Sequence, residues 1–397
     1  MKTPHYSHAG TAGRPHRRRR VLLIAGVVVP LALTACSRSV AATGGSGSSS
    51  GSASSTIAKF NKMQGADREP ALIAAAKKEG TLTIYTCSSD TAADVVPAFE
   101  KKYGIKVNVT DVPSDVQLQQ RLLQEQAAGG IRADLVESLG NDMSQLADNG
   151  DFAAYDSPAR TAMPATAKQP TWTWTYESWE MVAWNDHLVS AGQQPKTLAD
   201  LASPQWKKQL MLANGDTAWY AAVYSYYHKQ GMSDAAFSTM MKAIAANSGN
   251  MTGHSSATTL MEGGDFKVFL QNEQFDVLQG KQKNAPIGYQ PIVGPVVNIP
   301  AGAGILKNAQ DPAAAMLFLD YYLTQGQKVL AGVYRMPANP DAAGSVSWRL
   351  DKSPLAVTAP MQALSKPSVL DAWATAYNNL LQGSGDVLPA NAASEIY

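Results

Sequence analysis

Residues 72–86 read LIAAAKKEGTLTIYT, a helix pattern closed by a glycine and followed at once by a strand pattern. Leu72 and Ala76 recur at helical spacing, Gly80 is a typical helix stop, and the last six residues are mostly β-branched or aromatic. The same alternation continues along the chain, with strands expected at 81–86, 105–110 and 133–138 and helices at 67–80, around 95–103 and at 114–128. Helices and strands in alternation predict a parallel sheet covered by helices, which is an α/β fold.

The middle of the chain has a different pattern. Trp172, Trp174 and Tyr176 alternate, which is typical of a strand, and residues 292–299 form a second extended apolar run. About 340 residues follow the N-terminal segments, more than one hydrophobic core usually holds. We therefore expect two lobes joined by these two crossing strands, with residues 67–175 plus 297–340 in lobe 1 and residues 176–296 plus 341–397 in lobe 2.

The N-terminus has the composition of an export signal. Four arginines at 17–20 precede an apolar run at 21–35, which is short for a permanent membrane span of about 20 residues. The run ends in Leu-Thr-Ala-Cys at 33–36, which resembles the lipobox of bacterial lipoproteins. That resemblance implies that residues 1–35 are removed and that Cys36 carries lipid on the outer side of the cell membrane. An ordinary secretory signal is the alternative, and either the general or the twin-arginine export route fits.

The residues after Cys36 predict a flexible tether. Residues 43–56 are almost all glycine, serine and threonine, so they have little to bury. We expect residues 36–66 to be a lipidated N-terminus and linker.

Charge and motifs exclude several classes of protein. Residues 1–35 hold six of the 33 Lys and Arg and none of the 32 Asp and Glu, so the remainder carries 27 cations against 32 acids, or −5. An acidic body is not that of a nucleic-acid binder. Beyond the signal only Cys36, Cys87 and three scattered histidines are available, so we expect no disulfide, no cofactor and no metal site. No catalytic motif is recognisable, so we expect no enzyme, with a secreted lipid-anchored enzyme as the alternative class.

Several phrases in order resemble a known family. They are LIAAAKKEGTLTIY at 72–85, FEKKYGIKV at 99–107, the run from GAGILKNAQDPAAA to FLD within 301–323, and MPANP at 336–340. Together they are similar to the extracellular solute-binding proteins of ABC importers, in the branch with ferric-ion-binding and 2-aminoethylphosphonate-binding proteins. The resemblance implies a two-lobe, type II periplasmic-binding-protein-like fold with parallel-rich sheets. It also implies one small ligand held between the lobes of a monomer, with a membrane permease and its ATPase as partners.

In such folds a ligand lies beyond the carboxyl ends of the strands, where helices begin. Helix capping and core packing are the alternative roles for most residues at these places. The candidate ligand contacts are Cys87, Ser88, Ser89, Asp90, Glu137, Ser138, Asn141, Trp179, Asp216, Thr217, Trp219, Tyr220, His254, Ser255, Glu273 and Phe275.

The candidates indicate a class of ligand. The resemblance implies two adjacent tyrosines in ferric-binding relatives where this chain has Glu273 and Gln274, a histidine at Ser89 and a glutamate at Leu139, so the usual site for bare iron is missing. Acidic candidates beside aromatic ones favour an organic cation or zwitterion, polyamine-like or aminophosphonate-like, because carboxylates and aromatic faces both attract cations. Ferric iron or an iron complex is the second choice and a sugar the third.

Replacing Cys36 with Ser tests the lipid anchor. We expect the Cys36→Ser protein to leave the membrane fraction and appear in soluble material, because a serine accepts no thioether-linked lipid. Cell fractionation with immunoblotting measures this, and a variant that still sediments with membranes would reject the anchor.

Overall fold

A computed structural model describes residues 49–88, 90–112, 115–250, 254–342 and 349–397. The expected export signal at 1–35 and the lipidated Cys36 lie outside these residues. Within the described ranges, no helix combines the length and apolarity needed to cross a bilayer.

The described chain contains helices and strands in the expected alternation. The helices are α1 (Ser49–Lys62), α2 (Arg68–Glu79), α3 (Val96–Tyr103), α4 (Asp115–Ala127), α5 (Gly140–Asp148), α6 (Thr217–Lys229), α7 (Asp234–Ala246), α8 (His254–Gly263), α9 (Gln274–Gln282), α10 (Pro312–Tyr321), α11 (Gln327–Gly332), α12 (Met361–Leu364), α13 (Pro367–Gln382) and α14 (Ala392–Ile396). The strands are β1 (Thr81–Thr86), β2 (Lys106–Asp111), β3 (Leu135–Leu139), β4 (Trp172–Asn185), β5 (Leu210–Met211), β6 (Ser248–Asn250), β7 (Val268–Glu273), β8 (Ile287–Gly288), β9 (Val296–Ile305), β10 (Met336–Pro337) and β11 (Ala356–Thr358).

The opening helix and strand form for the reasons visible in the sequence. Leu72 and Ala76 are fully buried along one side of α2. Gly80 ends the helix in the left-handed conformation, with φ of +84°, and its N–H donates to the carbonyl of Ala76 at 2.9 Å. A glycine tolerates this conformation without steric cost, so β1 can start at the next residue.

All eleven described strands belong to one sheet, with the main order β2-β1-β3-β9-β4-β7-β5-β6. Strands β2, β1 and β3 are parallel to one another, as are β7, β5 and β6. Between these two parallel sets lie β9 and β4, which are antiparallel to each other and to the neighbouring strands β3 and β7. The expected α/β fold with two crossing strands is confirmed, and the return strand lies at 296–305 instead of 292–299.

The two crossing strands approach each other closely. The pairing runs from Trp172 opposite Gly304 to Glu180 opposite Val297. A Cβ atom on Gly302 would lie 2.5 Å from the Trp172 ring, so this position on β9 requires glycine. The missing side chain at Gly302 therefore leaves room for the indole of Trp172.

Buried apolar side chains form two large clusters, and each includes residues from both crossing strands. The first collects residues from 57–176 and 301–338, including the fully buried Phe99 and Phe318. The second collects residues from 182–299 and 359–396, including Trp219 and Trp373. The C-terminal segment thus packs with the middle of the chain.

The expected flexible linker at 36–66 is wrong over its last part. Residues Ser49–Lys62 form α1, and Ala53, Ile57 and Phe60 are buried at 3% exposure or less. Their spacing of four and three residues gives the helix one apolar side, which packs in the first cluster. The high serine content concealed this pattern.

Truncating Phe60 tests whether α1 belongs to the folded body. We expect Phe60→Ala to lower the free energy of unfolding by about 3–4 kcal/mol, because it leaves a cavity in the core. Denaturant unfolding measures the loss, and the exposed Ser54→Ala on the same helix is the matched control. A loss below about 0.5 kcal/mol would show that α1 does not pack as described.

Candidate functional site

A cavity of about 840 Å³ lies where β4 meets the carboxyl ends of β1, β3, β5 and β7. We call it the cleft cavity. Polar residues reach it from the loops after these strands and from the first turns of the helices that follow. Of the candidate ligand contacts, it is lined by Cys87, Ser88, Asn141, Asp216, Thr217, His254, Glu273 and Phe275.

The lining of the cleft cavity is strongly acidic. Among its described residues, one guanidinium (Arg335) and one imidazole (His254) face six carboxyl groups: Asp111, Asp142, Glu180, Asp216, Glu273 and Asp371. Behind this wall, burial and the nearby charge of Glu273 raise the pKa of Asp276 to about 7. Such crowding of carboxylates costs free energy, which a cation in the cavity relieves.

Arg335 is tied to carboxylates from both sides of the cavity. Its Nε donates to Asp90 Oδ2 at 2.6 Å, and its Nη1 lies 3.6 Å from Glu273 Oε1. Its guanidinium also covers the ring of Phe275, 3.5 Å from the centroid. Although burial opposes its charge, Glu273 and Asp90 raise the pKa of Arg335. Asp90 is therefore bound behind Arg335 and does not line the cavity, and the face of Phe275 is already occupied.

Glu180, Asp216 and His254 form a compact cluster at one wall. His254 Nε2 lies 3.4 Å from Asp216 Oδ2 and 4.0 Å from Glu180 Oε1. Burial opposes protonation of His254, but hydrogen bonding and charge from Asp216, with Glu180 and Glu273, raise its pKa well above the usual range. Burial, followed by the charge of Asp216, raises the pKa of Glu180 well above its usual range. The raised pKa values thus mean that protons held by His254 and Glu180 offset the negative charge of this cluster.

Two candidates on β3 point into the protein. Glu137 is 1% exposed, and its carboxylate accepts hydrogen bonds from Thr175 at 2.9 Å, from Tyr322 at 2.6 Å and from Thr86 at 2.8 Å. Ser138 is fully buried and donates to Asp142 Oδ2 at 2.6 Å. Neither lines the cavity, because the helix after β3 brings Asn141 and Asp142 to the wall instead.

The aromatic candidates of β4 and α6 also lie away from the cavity. Trp219 and Tyr220 are buried in the second apolar cluster, where the Tyr220 hydroxyl donates to the Val387 carbonyl at 2.5 Å. Trp179 points to the opposite face of β4 and donates from Nε1 to Glu177 Oε2 at 2.8 Å. Only Thr217 and its neighbours at the start of α6 reach the cavity wall.

The side chains of two candidate serines are not described by the structure. Ser89 lies outside the described residues. Ser255 is described only through its backbone, in the first turn of α8.

Many residues of the wall are not among the candidates, and they include Tyr176, Ser178, Glu180 and Arg335. The first three alternate on β4, and an irregularity in its pairing between Trp174 and Tyr176 shifts them to the cavity face. Strict alternation from Trp172 would have placed every second residue from 172 to 180 on one face of β4. Only the alternation within 176–180, taken by itself, indicates that Tyr176, Ser178 and Glu180 share the cavity face. No local pattern marks Arg335, which arrives from a distant part of the chain.

The fold and the sequence are those of a known family of proteins. The family model for bacterial extracellular solute-binding proteins matches residues 82–332, more than half of the chain. The chain belongs to this family. Its members are extracytoplasmic binding proteins of the ABC-import type, and both family and fold are those of binding proteins rather than enzymes.

Individual members of the solute-binding family show how far the likeness extends. The chain is 24% identical over 268 residues to an Fe(3+)-binding periplasmic protein of Serratia marcescens, covering 64% of this chain and 78% of that one. The periplasmic protein AfuA of Actinobacillus pleuropneumoniae, solved with fructose-6-phosphate, superposes with a TM-score of 0.65 at 18% identity, over 76% of this chain and 99% of that one. Iron-bound HitA of Pseudomonas aeruginosa gives 0.59 at 20% identity, over 77% and 99%. The two structural matches establish the shared fold.

This solute-binding protein has a second cavity of about 830 Å³, on the other face of β4. We call it the rear cavity. Trp172, Trp174, Glu177 and Trp179 line it from β4, and Asn298 lines it from β9. Burial raises the pKa of Glu177 to about 7, and Asp351 adds to this, while the Trp179 hydrogen bond, Arg349 and Lys352 oppose it.

Replacing Glu177 with Gln tests the buried carboxyl in this cavity. Because its pKa in the folded protein (about 7) exceeds the ordinary value of 4.5, unfolding releases its proton at intermediate pH. The wild type should therefore lose ~2–3 kcal/mol of stability through this group as pH rises from about 4.5 to 7. Glu177→Gln should remove that part of the decline.

Denaturant unfolding at pH 5 and pH 8 measures this difference. Glu69→Gln, at an exposed position of α2, is the control and should follow the wild type. An identical pH dependence in the Glu177→Gln protein and the wild type would contradict the assignment.

Proposed function

We propose that this protein captures a small, positively charged solute in the cleft cavity and delivers it to an ABC import permease. The observation that carries the proposal is the surplus of carboxyl groups over cations among the described residues of the wall. Arg335 is already paired with Asp90 and Glu273, and His254 lies beside Asp216, so these two cationic side chains are outnumbered by the carboxyl groups of the described wall. A solute with positive charge supplies the missing counter-charge.

An organic cation or zwitterion is the first class of solute to consider. The volume of about 840 Å³ suits a small organic molecule. The aromatic part of the expected site is weaker support, because Trp179, Trp219 and Tyr220 do not line the cavity and Arg335 covers Phe275. Recognition then rests mainly on carboxylates.

A metal-containing solute is the second candidate. The Serratia relative is named for binding Fe(3+), and a histidine stands among the carboxylates of this cavity. The tyrosine positions implied by ferric-binding relatives are occupied here by Glu273, at the end of β7, and Gln274, at the start of α9.

The protein works by closing two lobes around its solute at the membrane surface. The protein has two lobes: lobe 1 contains residues 67–175 plus 297–340, and lobe 2 contains residues 176–296 plus 341–397. The division of buried side chains into two clusters supports this. The solute draws them together, and the permease with its ATPase recognises the closed form. The protein acts as a monomer, held at the membrane by lipid on Cys36, and performs no reaction on its solute.

Replacing Glu273 with Gln tests the charge requirement. The probes are spermidine, choline, 2-aminoethylphosphonate and ferric citrate, with glucose and citrate as neutral and anionic comparisons. We expect at least one positively charged or zwitterionic probe to bind the wild type and to bind Glu273→Gln about 10–100-fold more weakly, because a hydrogen bond to a charged group contributes about 1.5–3 kcal/mol. Isothermal titration calorimetry gives both affinities.

Glu69→Gln is again the control, and mass spectrometry of solute released from natively purified protein widens the panel. A neutral or anionic solute that binds the cleft cavity and is indifferent to Glu273→Gln would overturn the proposal.

A further inference from the structure

Three potential metal ligands converge at one wall of the cleft cavity. Glu180 comes from β4, Asp216 precedes α6 and His254 begins α8. One ligand atom from each lies within 4.8 Å of the other two. These residues are far apart in the sequence, so the fold itself brings them together.

The two carboxyl groups of the cluster are buried, the imidazole of His254 is partly exposed, and some of their polar atoms lack hydrogen-bond partners among the described residues. The Glu180 side chain is 5% exposed and that of Asp216 is 7% exposed. Glu180 Oε2 accepts no hydrogen bond from any described residue. His254 Nδ1 likewise forms no hydrogen bond with a described residue. A buried carboxylate oxygen without a donor is unfavourable, so this one points to a ligand that the protein itself does not supply.

The separations are close to those of a coordination sphere. A first-row transition ion lies about 2.0–2.2 Å from carboxylate oxygens and imidazole nitrogens, which places neighbouring ligands roughly 3.0–3.5 Å apart. His254 Nε2 is 3.4 Å from Asp216 Oδ2 and 4.0 Å from Glu180 Oε1. Small side-chain rotations are enough to bring all three to one ion.

The chemistry of the three groups selects the class of ion. Two carboxylates balance a divalent charge, and an imidazole favours Zn²⁺, Mn²⁺ or Fe²⁺ over Mg²⁺ and Ca²⁺, which prefer oxygen alone. Three protein ligands leave coordination positions open towards the cavity. Those positions can take water or donor groups of an organic carrier that fills the remaining volume.

We propose that Glu180, Asp216 and His254 form a binding site for a divalent first-row transition-metal ion, carried into the cleft cavity alone or within a small complex. This inference rests on the proposed function, because it names the cation that the acidic wall receives.

Metal titrations of chelator-treated protein test the site. The probes are Zn²⁺, Mn²⁺ and Mg²⁺ as simple salts, followed by calorimetry. We expect one equivalent of Zn²⁺ or Mn²⁺ to bind with a dissociation constant of micromolar or lower, and Mg²⁺ to bind at least 100-fold more weakly. Glu180→Gln and His254→Gln should each weaken binding by 100-fold or more, whereas Glu69→Gln, at an exposed position of α2, should change it less than 5-fold.

Spectroscopy separates a lost ligand from a damaged fold. Cu²⁺ bound to the wild type should show nitrogen hyperfine coupling in electron paramagnetic resonance, and His254→Gln should lose it while melting within a few degrees of the wild type. Metal binding that is equal in wild type, Glu180→Gln and His254→Gln would place the ion elsewhere and overturn the inference.

Two further outcomes separate the inference from the proposed function. If no transition metal binds but spermidine, choline or 2-aminoethylphosphonate does, with dependence on Glu273, the metal site is rejected and the proposed function stands. If neither the metals nor the organic cations bind, both are rejected.

Discussion

The antiparallel pairing of β4 with β9 is the constraint on which the rest of the structure depends. One set of parallel strands attaches to β9 through β3, and the other attaches to β4 through β7. Because both sets are anchored on the same pair, the carboxyl ends of β1, β3, β5 and β7 turn towards a common space. The helix starts that follow those strands carry the polar groups of the wall. The cavity is thus a consequence of topology before any single side chain is considered.

The irregular pairing within β4 decides which side chains enter that space. Before it, Trp172 and Trp174 line the rear cavity, and after it, Tyr176, Ser178 and Glu180 line the cleft cavity. A strand with unbroken alternation would keep one aromatic series on one face. The shift therefore places the Glu180 carboxyl group at the cleft cavity and keeps Trp172, Trp174 and Trp179 at the rear cavity.

Much of the fold follows from local patterns in the sequence. The helix at 68–79, the glycine stop and the strand at 81–86 are set by neighbouring residues, and so are the polar groups that directly follow a strand, such as Ser88 and Asn141. Trp219 and Tyr220 are placed by long-range packing and not by local pattern. They share the first turn of α6 with Thr217, but a helix start offers only one side to the cavity, and packing against Trp373 determines which side that is.

Long-range contacts account for the other differences. Arg335 reaches Asp90, 245 residues earlier in the chain, and no pattern near either residue indicates the pair. His254 carried no metal-ligand spacing in the sequence, yet Glu180 and Asp216 lie beside it in space. Helix α1 was hidden for a different reason, since three apolar residues among serines are few for a composition-based assignment.

Strand β4 alone separates the cleft cavity from the tryptophans of the rear cavity, which bears on their fluorescence. Glu177 and Trp179 face the rear cavity while their neighbours Ser178 and Glu180 face the cleft, so a single strand separates indole rings from any guest. Three of the eight tryptophans lie on that rear face. These indole rings lie across one backbone from the cleft cavity and do not line it. Tryptophan emission would therefore respond to occupancy of the cleft cavity wherever a bound solute changes the field or the geometry of β4.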